Sequence, residues 1–319
     1  MLGLSAYVVL PPRLASERNV HSSEMREMGQ YQFVNPLLEC EVAQGVIDSY
    51  SENFRSALSE EVLAMTDKGD ASLIAVYFRD LNNGPAFGIN ENKKFIPASL
   101  LKVPVMMTYY REAEGDPALL KKILRADEHY GPPSPGTQHI VPEDEIEVGK
   151  EYAIEDLLRR TIVYSDNQAV TLLIKHISTP SISLLYHMLG VDDGVLHGPT
   201  GQLTVREYAT FFRILFNASY ISPEYSEKAL ELLSETKFPN GLVAGVPDDV
   251  VVAHKFGEGG DEDEHQIHDC GIVYYPDHPY LLCVMTRGED IPTLERSIAA
   301  ISHFVYSQVA AQHEEATSR

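Results

Sequence analysis

Pro97-Ala98-Ser99-Leu100-Leu101-Lys102 opens the most apolar helical stretch of the chain, which continues through Val103, Val105, Met106, Met107 and Tyr110. Residues three apart on a helix share a face, so Lys102 comes within hydrogen-bonding reach of the Ser99 hydroxyl. A desolvated, neutral amine there is a base for a serine nucleophile. Because the following helix is apolar on most of its surface, it is expected to be central to a helical layer. Its N-terminal dipole and amide groups favour negative charge where an oxyanion would develop. By itself, the pair is equally what a capping serine and a snorkelling lysine would look like.

Working outward, the spacing predicts a long amphipathic helix from Glu41 to about Asp67 (Val42, Val46, Tyr50, Phe54, Leu58, Val62), stopped at Gly69. Ser72–Leu81 and Ala86–Ile89 read as strands joined by Asn82-Asn83-Gly84, a hairpin that delivers the chain to Ser99. Helical periods follow over Ala153–Tyr164, Ala169–Ile177, Ser181–Leu189, Thr204–Phe216 and from Ser222 to about Lys237. The Pro- and Gly-rich residues 127–150 form an excursion between them. The period then changes to strands at Val250–Phe256, Gln266–Tyr275 and Tyr280–Met285, before a closing helix from Ile291 to about Val309. The order predicts an α+β fold: an antiparallel sheet built from both chain ends and flanked by helices, plus an all-helical lobe. Residues 1–40 read as an N-terminal arm, 41–312 as the catalytic domain and 313–319 as a C-terminal tail.

With 47 acidic and 25 basic residues the formal charge is −22, which disfavours nucleic acid and anionic membrane surfaces as partners. Met1–Leu10 is too short for a bilayer span and lacks a basic start, but is compatible with the remnant of an export signal or anchor, hence a membrane tether through the N-terminus. Cys40, Cys270 and Cys283 have no metal-ligand spacing and an odd count, so no disulfide framework is expected. His265, His268 and Asp269 lie beside an acidic run, yet strand positions three apart point to opposite faces, so neither metal nor cofactor is expected.

Two further motifs follow Ser99-Leu100-Leu101-Lys102 in order: Ser165-Asp166-Asn167 at a junction between helices and Lys255-Phe256-Gly257 on a predicted strand. Each arises alone by chance, with Ser165 or Asp166 read as a cap and Asn167 as a turn residue. Together, S-x-x-K, S-D-N and K-x-G in this order resemble class A β-lactamases and penicillin-binding proteins. The resemblance extends over the element order from about Val42 to Val309, including the Ala253–Gly257 and Gly271–Val273 strands.

The resemblance implies an acyl-enzyme on Ser99, with Lys102 taking its proton and Ser165, held by Lys255, passing one to the leaving nitrogen. Asn167 would bind the substrate amide, and the backbone N–H groups of Ser99 and Glu258, with Gly257 between the latter and Lys255, would bind the oxyanion. The implied ligand is a small-molecule β-lactam or a peptidoglycan-like peptide, and the implied location extracytoplasmic, whether periplasmic, secreted or membrane-anchored. The alternatives are a D,D-peptidase or transpeptidase and a non-catalytic binding module on the same fold.

Three departures stand out. Family members carry a Glu-x-x-Asn loop that activates the deacylating water; here Leu196–Gln202 holds no carboxylate, and Glu207, the nearest candidate in the helix that follows, reads as surface or capping box. Phe256 stands where a hydroxyl residue normally binds a substrate carboxylate, and Cys270 where many members have an arginine. The Gly259–Glu264 insertion adds negative charge and reads as a solvated hairpin tip. Weak or absent β-lactam turnover is therefore expected.

Overall fold

The computed structural model describes residues 24–26, 31–40, 49–82, 85–130, 142, 144–192, 201–260 and 264–317. In chain order these form β1 (Glu24–Arg26), β2 (Leu37–Cys40), α1 (Ser49–Lys68), β3 (Leu73–Asp80), β4 (Ala86–Ile89), β5 (Lys94–Phe95), α2 (Lys102–Gly115), β6 (Ile123–Arg125), β7 (Glu151–Ala153), α3 (Ile154–Val163) and α4 (Asn167–His176). The remainder are α5 (Thr179–Leu189), β8 (Leu203–Thr204), α6 (Val205–Phe216), α7 (Pro223–Ser234), β9 (Val252–Gly260), β10 (His265–Val273), β11 (Tyr280–Gly288) and α8 (Ile291–Thr317).

The main sheet is antiparallel in the order β4-β3-β11-β10-β9, so strands from the two ends of the chain meet at the β3–β11 pair. Strand alternation separates its faces. Ile74, Val76, Phe78, Leu282 and Val284 pack toward α1 and α8, which contribute Phe54, Leu58, Val62, Leu294, Ile298 and Ile301. Ala75, Tyr77, Leu281, Cys283 and Met285 face the helical lobe. Within that lobe α2 is the central helix: nine consecutive residues from Lys102 to Tyr110 are buried, which is why its sequence shows no polar face.

Gly69 ends α1 at φ +83°, a left-handed conformation that favours glycine, and its N–H bonds to the Thr66 carbonyl. Of the expected Glu41–Asp67 helix, residues 41–48 lie outside the described residues. β9 runs on past Phe256 to Gly260, paired with His265 of β10, because the glycine-rich insertion lengthens the hairpin instead of interrupting it. Its tip, Asp261–Asp263, is outside the described residues, as are 193–200 of the loop before β8. α8 continues to Thr317, into the stretch expected as a tail.

Cys270 and Cys283 are opposite each other in the β10–β11 register and are joined by a disulfide. One pair is not a disulfide framework, and the odd count left open whether any two of the three cysteines meet. Antiparallel pairing brings two residues 13 apart into contact, which spacing alone does not reveal.

The described segment around Phe33 docks on α7 and the end of β10. Phe33 and Val34 are buried, Phe33 lies edge-on to Tyr274, and the Glu227 carboxylate on α7 accepts the N–H groups of Gln32, Phe33 and Val34 at 2.6, 2.9 and 2.9 Å. Bonds to a charged acceptor contribute about 1.5–3 kcal/mol. Glu227→Ala is therefore expected to raise the open population of the arm about tenfold or more, read as faster tryptic cleavage at Arg26 with the rest of the chain protected. Unchanged cleavage would show that the remaining contacts, among them the Asn35 and Leu37 N–H bonds to the Phe216 and Asn217 carbonyls, hold it without Glu227.

Candidate active site

Ser99 lies not at a helix cap but inside a tight 3-10 turn, Ala98–Leu101, that leads directly into α2. Ala98 has φ +48°, which costs a residue with a Cβ roughly 1–3 kcal/mol and persists only where surrounding contacts fix it. Those contacts are specific. The Leu100 N–H bonds to the Pro97 carbonyl at 3.0 Å and Tyr208 of α6 donates its hydroxyl to the Leu100 carbonyl at 2.9 Å. One residue upstream of Pro97, the Ile96 peptide is clamped from β10: its N–H donates to Gln266 Oε1 at 3.0 Å, and His268 Nε2 is 3.0 Å from its carbonyl.

On its other ring nitrogen, His268 Nδ1 accepts the Thr286 N–H at 3.3 Å, so the ring is neutral with its proton on Nε2. Burial drives its pKa down to about 4, in keeping with that tautomer. His268 and Asp269 point to opposite faces of β10: Asp269 accepts from His254 Nδ1 at 2.8 Å and from the Leu242 N–H at 2.8 Å. His268 thus holds the backbone entering the Ser99 turn. In the sequence His268 stands out only with His265 and Asp269 beside an acidic run, and nothing there points to the Ile96 peptide as its partner.

Lys102 is 3% exposed, which rules out a snorkelling surface lysine. Its Nζ lies 3.0 Å from Ser99 Oγ, 2.9 Å from Ser165 Oγ, 2.6 Å from the Ser165 carbonyl and 2.7 Å from Asn167 Oδ1. A protonated amine has only three hydrogens for these four oxygens; a neutral one has two and a lone pair able to accept a hydroxyl proton. Burial brings the Lys102 pKa down to about 7, opposed by the charge of Asp166.

Ser165 bridges the two lysines, with Lys255 Nζ 2.9 Å from its Oγ. It too is left-handed, at φ +56°, and so turns the chain between α3 and α4. Asp166 is the N-cap of α4, accepting the N–H groups of Gln168 and Ala169 at 2.7 and 3.1 Å, with Ile146 as a third donor at 3.0 Å. Burial raises its carboxyl above the ordinary range, against the pull of those three N–H groups and of Lys102.

Lys255 is fully buried on β9, an edge strand of the sheet, and donates to the Phe256 carbonyl at 3.0 Å as well as to Ser165. Burial first, and then the charge of Lys102, hold its pKa well below the usual lysine value, while Asp269 acts the other way. β9 reaches the Ser99 turn because residue 257 has no side chain: a Cβ on Gly257 would come 2.8 Å from the Pro97 carbonyl and 2.9 Å from Leu100 Cγ. Glu207 closes a capping box with Thr204, accepting its N–H at 2.8 Å and its hydroxyl at 2.9 Å.

The structure therefore brings Ser99, Lys102, Ser165, Asn167 and Lys255 into one hydrogen-bonded cluster at the junction of sheet and helical lobe, with Gly257 against the same turn.

No curated protein matches the chain. Among solved structures, a beta-lactamase from Chitinophaga pinensis aligns over 81% of this chain and 99% of its own at 20% identity, TM-score 0.67. A class A beta-lactamase from Mycobacterium abscessus covers 79% and 99% at 22% identity, TM-score 0.65. A leucine-to-glutamate mutant of PBP-A, solved as an acyl-enzyme complex with penicillin G, covers 82% and 97% at 19% identity, TM-score 0.66. At these identities the structural likeness speaks for the fold. The sequence pattern of the beta-lactamase enzyme family matches residues 57–309, a span that contains α2, the Ser165 turn and β9 together, and the chain accordingly belongs to that family, among the serine hydrolases of the beta-lactamase and penicillin-binding superfamily.

Proposed function

We propose that the protein opens a lactam or amide bond by acyl transfer to Ser99, in the manner of class A enzymes, and releases the acyl group slowly. The observation that carries this reading is the unbroken hydrogen-bond chain from Ser99 Oγ through Lys102 Nζ and Ser165 Oγ to Lys255 Nζ, at 3.0, 2.9 and 2.9 Å. Neutral Lys102 takes the Ser99 proton as Oγ attacks the carbonyl carbon. The tetrahedral oxyanion is met by the backbone N–H groups of Ser99 and Glu258, each worth about 3–4 kcal/mol in such sites. As the C–N bond breaks, Ser165 gives its proton to the leaving nitrogen and is reprotonated from Lys102. Asn167 orients the substrate amide and Gly257 lets β9 lie beside the bond being cut.

Slow release rests on Glu207, whose carboxylate is engaged in the capping box, and on the lack of a carboxylate in Leu196–Gln202. The ligand proposed is a β-lactam or a peptidoglycan-like peptide, acting on the 41–312 unit, with residues 1–40 as the arm and the protein extracytoplasmic. No helix among the described residues is long and apolar enough to cross a membrane. Recovery of the native protein from the cytosolic fraction would overturn that placement.

Incubation with a fluorescent penicillin, followed by digestion and mass mapping, is expected to find the adduct on Ser99 and to find it persisting. Rapid turnover without an adduct would remove the deacylation defect. Neither adduct nor turnover, with D-alanine released from a D-Ala-D-Ala peptide, would favour the peptidase reading.

A further inference from the structure

The surroundings of the Lys255 ammonium define what kind of group can lie on the leaving-nitrogen side of the site. Two of its three N–H donors are taken by Ser165 Oγ and the Phe256 carbonyl, and its Nζ lies 3.9 Å from the centroid of the Phe256 ring, so the face of that ring covers it. The residue is 0% exposed. The ring lies over the side left by those two bonds, so an incoming anion meets no opening to the charge.

The ring cannot easily move aside. Phe238, from the segment after α7, stacks on Phe256 with centroids 4.4 Å apart and planes at 23°, and both rings are 2% exposed. Across the strand, Cys270 is registered opposite Lys255 and is tied up in the disulfide to Cys283, so that position supplies no cation either. The next charged residue along β9 is Glu258, a carboxylate. Aromatic faces and negative charge both oppose an anionic ligand.

Resting on the acyl-transfer reading above, we infer that the Phe238–Phe256 pair sets specificity by disfavouring carboxylates next to the scissile nitrogen, so that lactams or amides whose leaving amine carries no adjacent anion are acylated faster than their carboxylate counterparts. Acylation is then Ser99 Oγ–C bond formation with C–N cleavage, the proton going through Ser165 to a leaving amine that is otherwise uncharged.

Benzylpenicillin and its methyl ester share ring and acyl side chain and differ only in that carboxylate. The second-order rate constant for Ser99 acylation, followed by intact-protein mass, is expected to be at least about tenfold higher for the ester than for the acid in the wild-type protein. Phe256→Thr, which opens the ammonium, is expected to bring the ratio to about one or below, chiefly by raising the acid rate. Should that variant not fold, Phe238→Leu, which unstacks the ring, is expected to shift the ratio the same way. A wild-type protein that takes the acid as fast as the ester overturns the inference, as does a ratio unmoved in a folded Phe256→Thr. A fluorophosphonate probe separates the two levels: Ser99 labelled by the probe but untouched by the ester overturns the specificity inference alone, whereas Ser99 untouched by all three overturns the nucleophile assignment beneath it.

Discussion

Lys102→Ala is expected to lower the rate of Ser99 acylation by about a hundred- to ten-thousand-fold while leaving the fold intact, the range for loss of a positioned general base. Lys102 Nζ is the only basic atom within hydrogen-bonding distance of Ser99 Oγ among the described residues, at 3.0 Å. Lys102→Arg is expected to fail equally, since a guanidinium stays charged and cannot accept the hydroxyl proton. The wild-type pH profile carries the sign. With a pKa brought down to about 7 by burial, Lys102 is protonated and inactive as a base below that pH and neutral above it. The acylation rate constant is thus expected to fall about tenfold per pH unit on the acid side and to level off on the alkaline side, with the slope lost in Lys102→Ala. Stopped-flow labelling across that range decides it, and a flat wild-type profile would remove Lys102 as the base.

Asp166→Ala is expected to be the most destabilising single substitution near the site, at about 3–5 kcal/mol, read as a lower denaturant midpoint. Asp166 is 0% exposed and accepts three backbone N–H groups, from Gln168 and Ala169 in the first turn of α4 and from Ile146 in the segment that packs over it. Removing the carboxylate orphans these donors and strips Lys102 of the charge that raises its pKa. Asp166→Asn keeps an acceptor for part of the cap, so it is expected to recover part of the stability. It is also expected to shift the acylation profile to lower pH, because neutral Asn no longer favours the protonated amine. Recovery of stability without a shift in the profile would mean that Asp166 acts through the cap alone.

The two predictions show how differently the parts of the site were visible. S-x-x-K, S-D-N and K-x-G are residue identities in a fixed order, and each is readable before any contact is known. The helix after Ser99 was equally legible, since a segment buried on all sides must be apolar on all sides, as residues 102 to 110 are apart from the lysine, threonine and tyrosines. The end of β9 at Gly260 was not legible, because glycines weaken a strand signal that pairing with β10 overrides. Nor was the cysteine pair, which depends on register.

The sequence by itself determined the order of elements, the apolar faces that make them pack, and the identities of Ser99, Lys102, Ser165, Asn167 and Lys255, because periodicity and side-chain chemistry are local properties. Only the tertiary structure decided that Ala98 and Ser165 take left-handed backbone conformations, that Gln266 and His268 grip the Ile96 peptide, and that Phe238 stacks on Phe256 over Lys255. Each of these depends on contacts between segments separated in the chain, whose positions are fixed only once the sheet and the helical lobe have closed on each other.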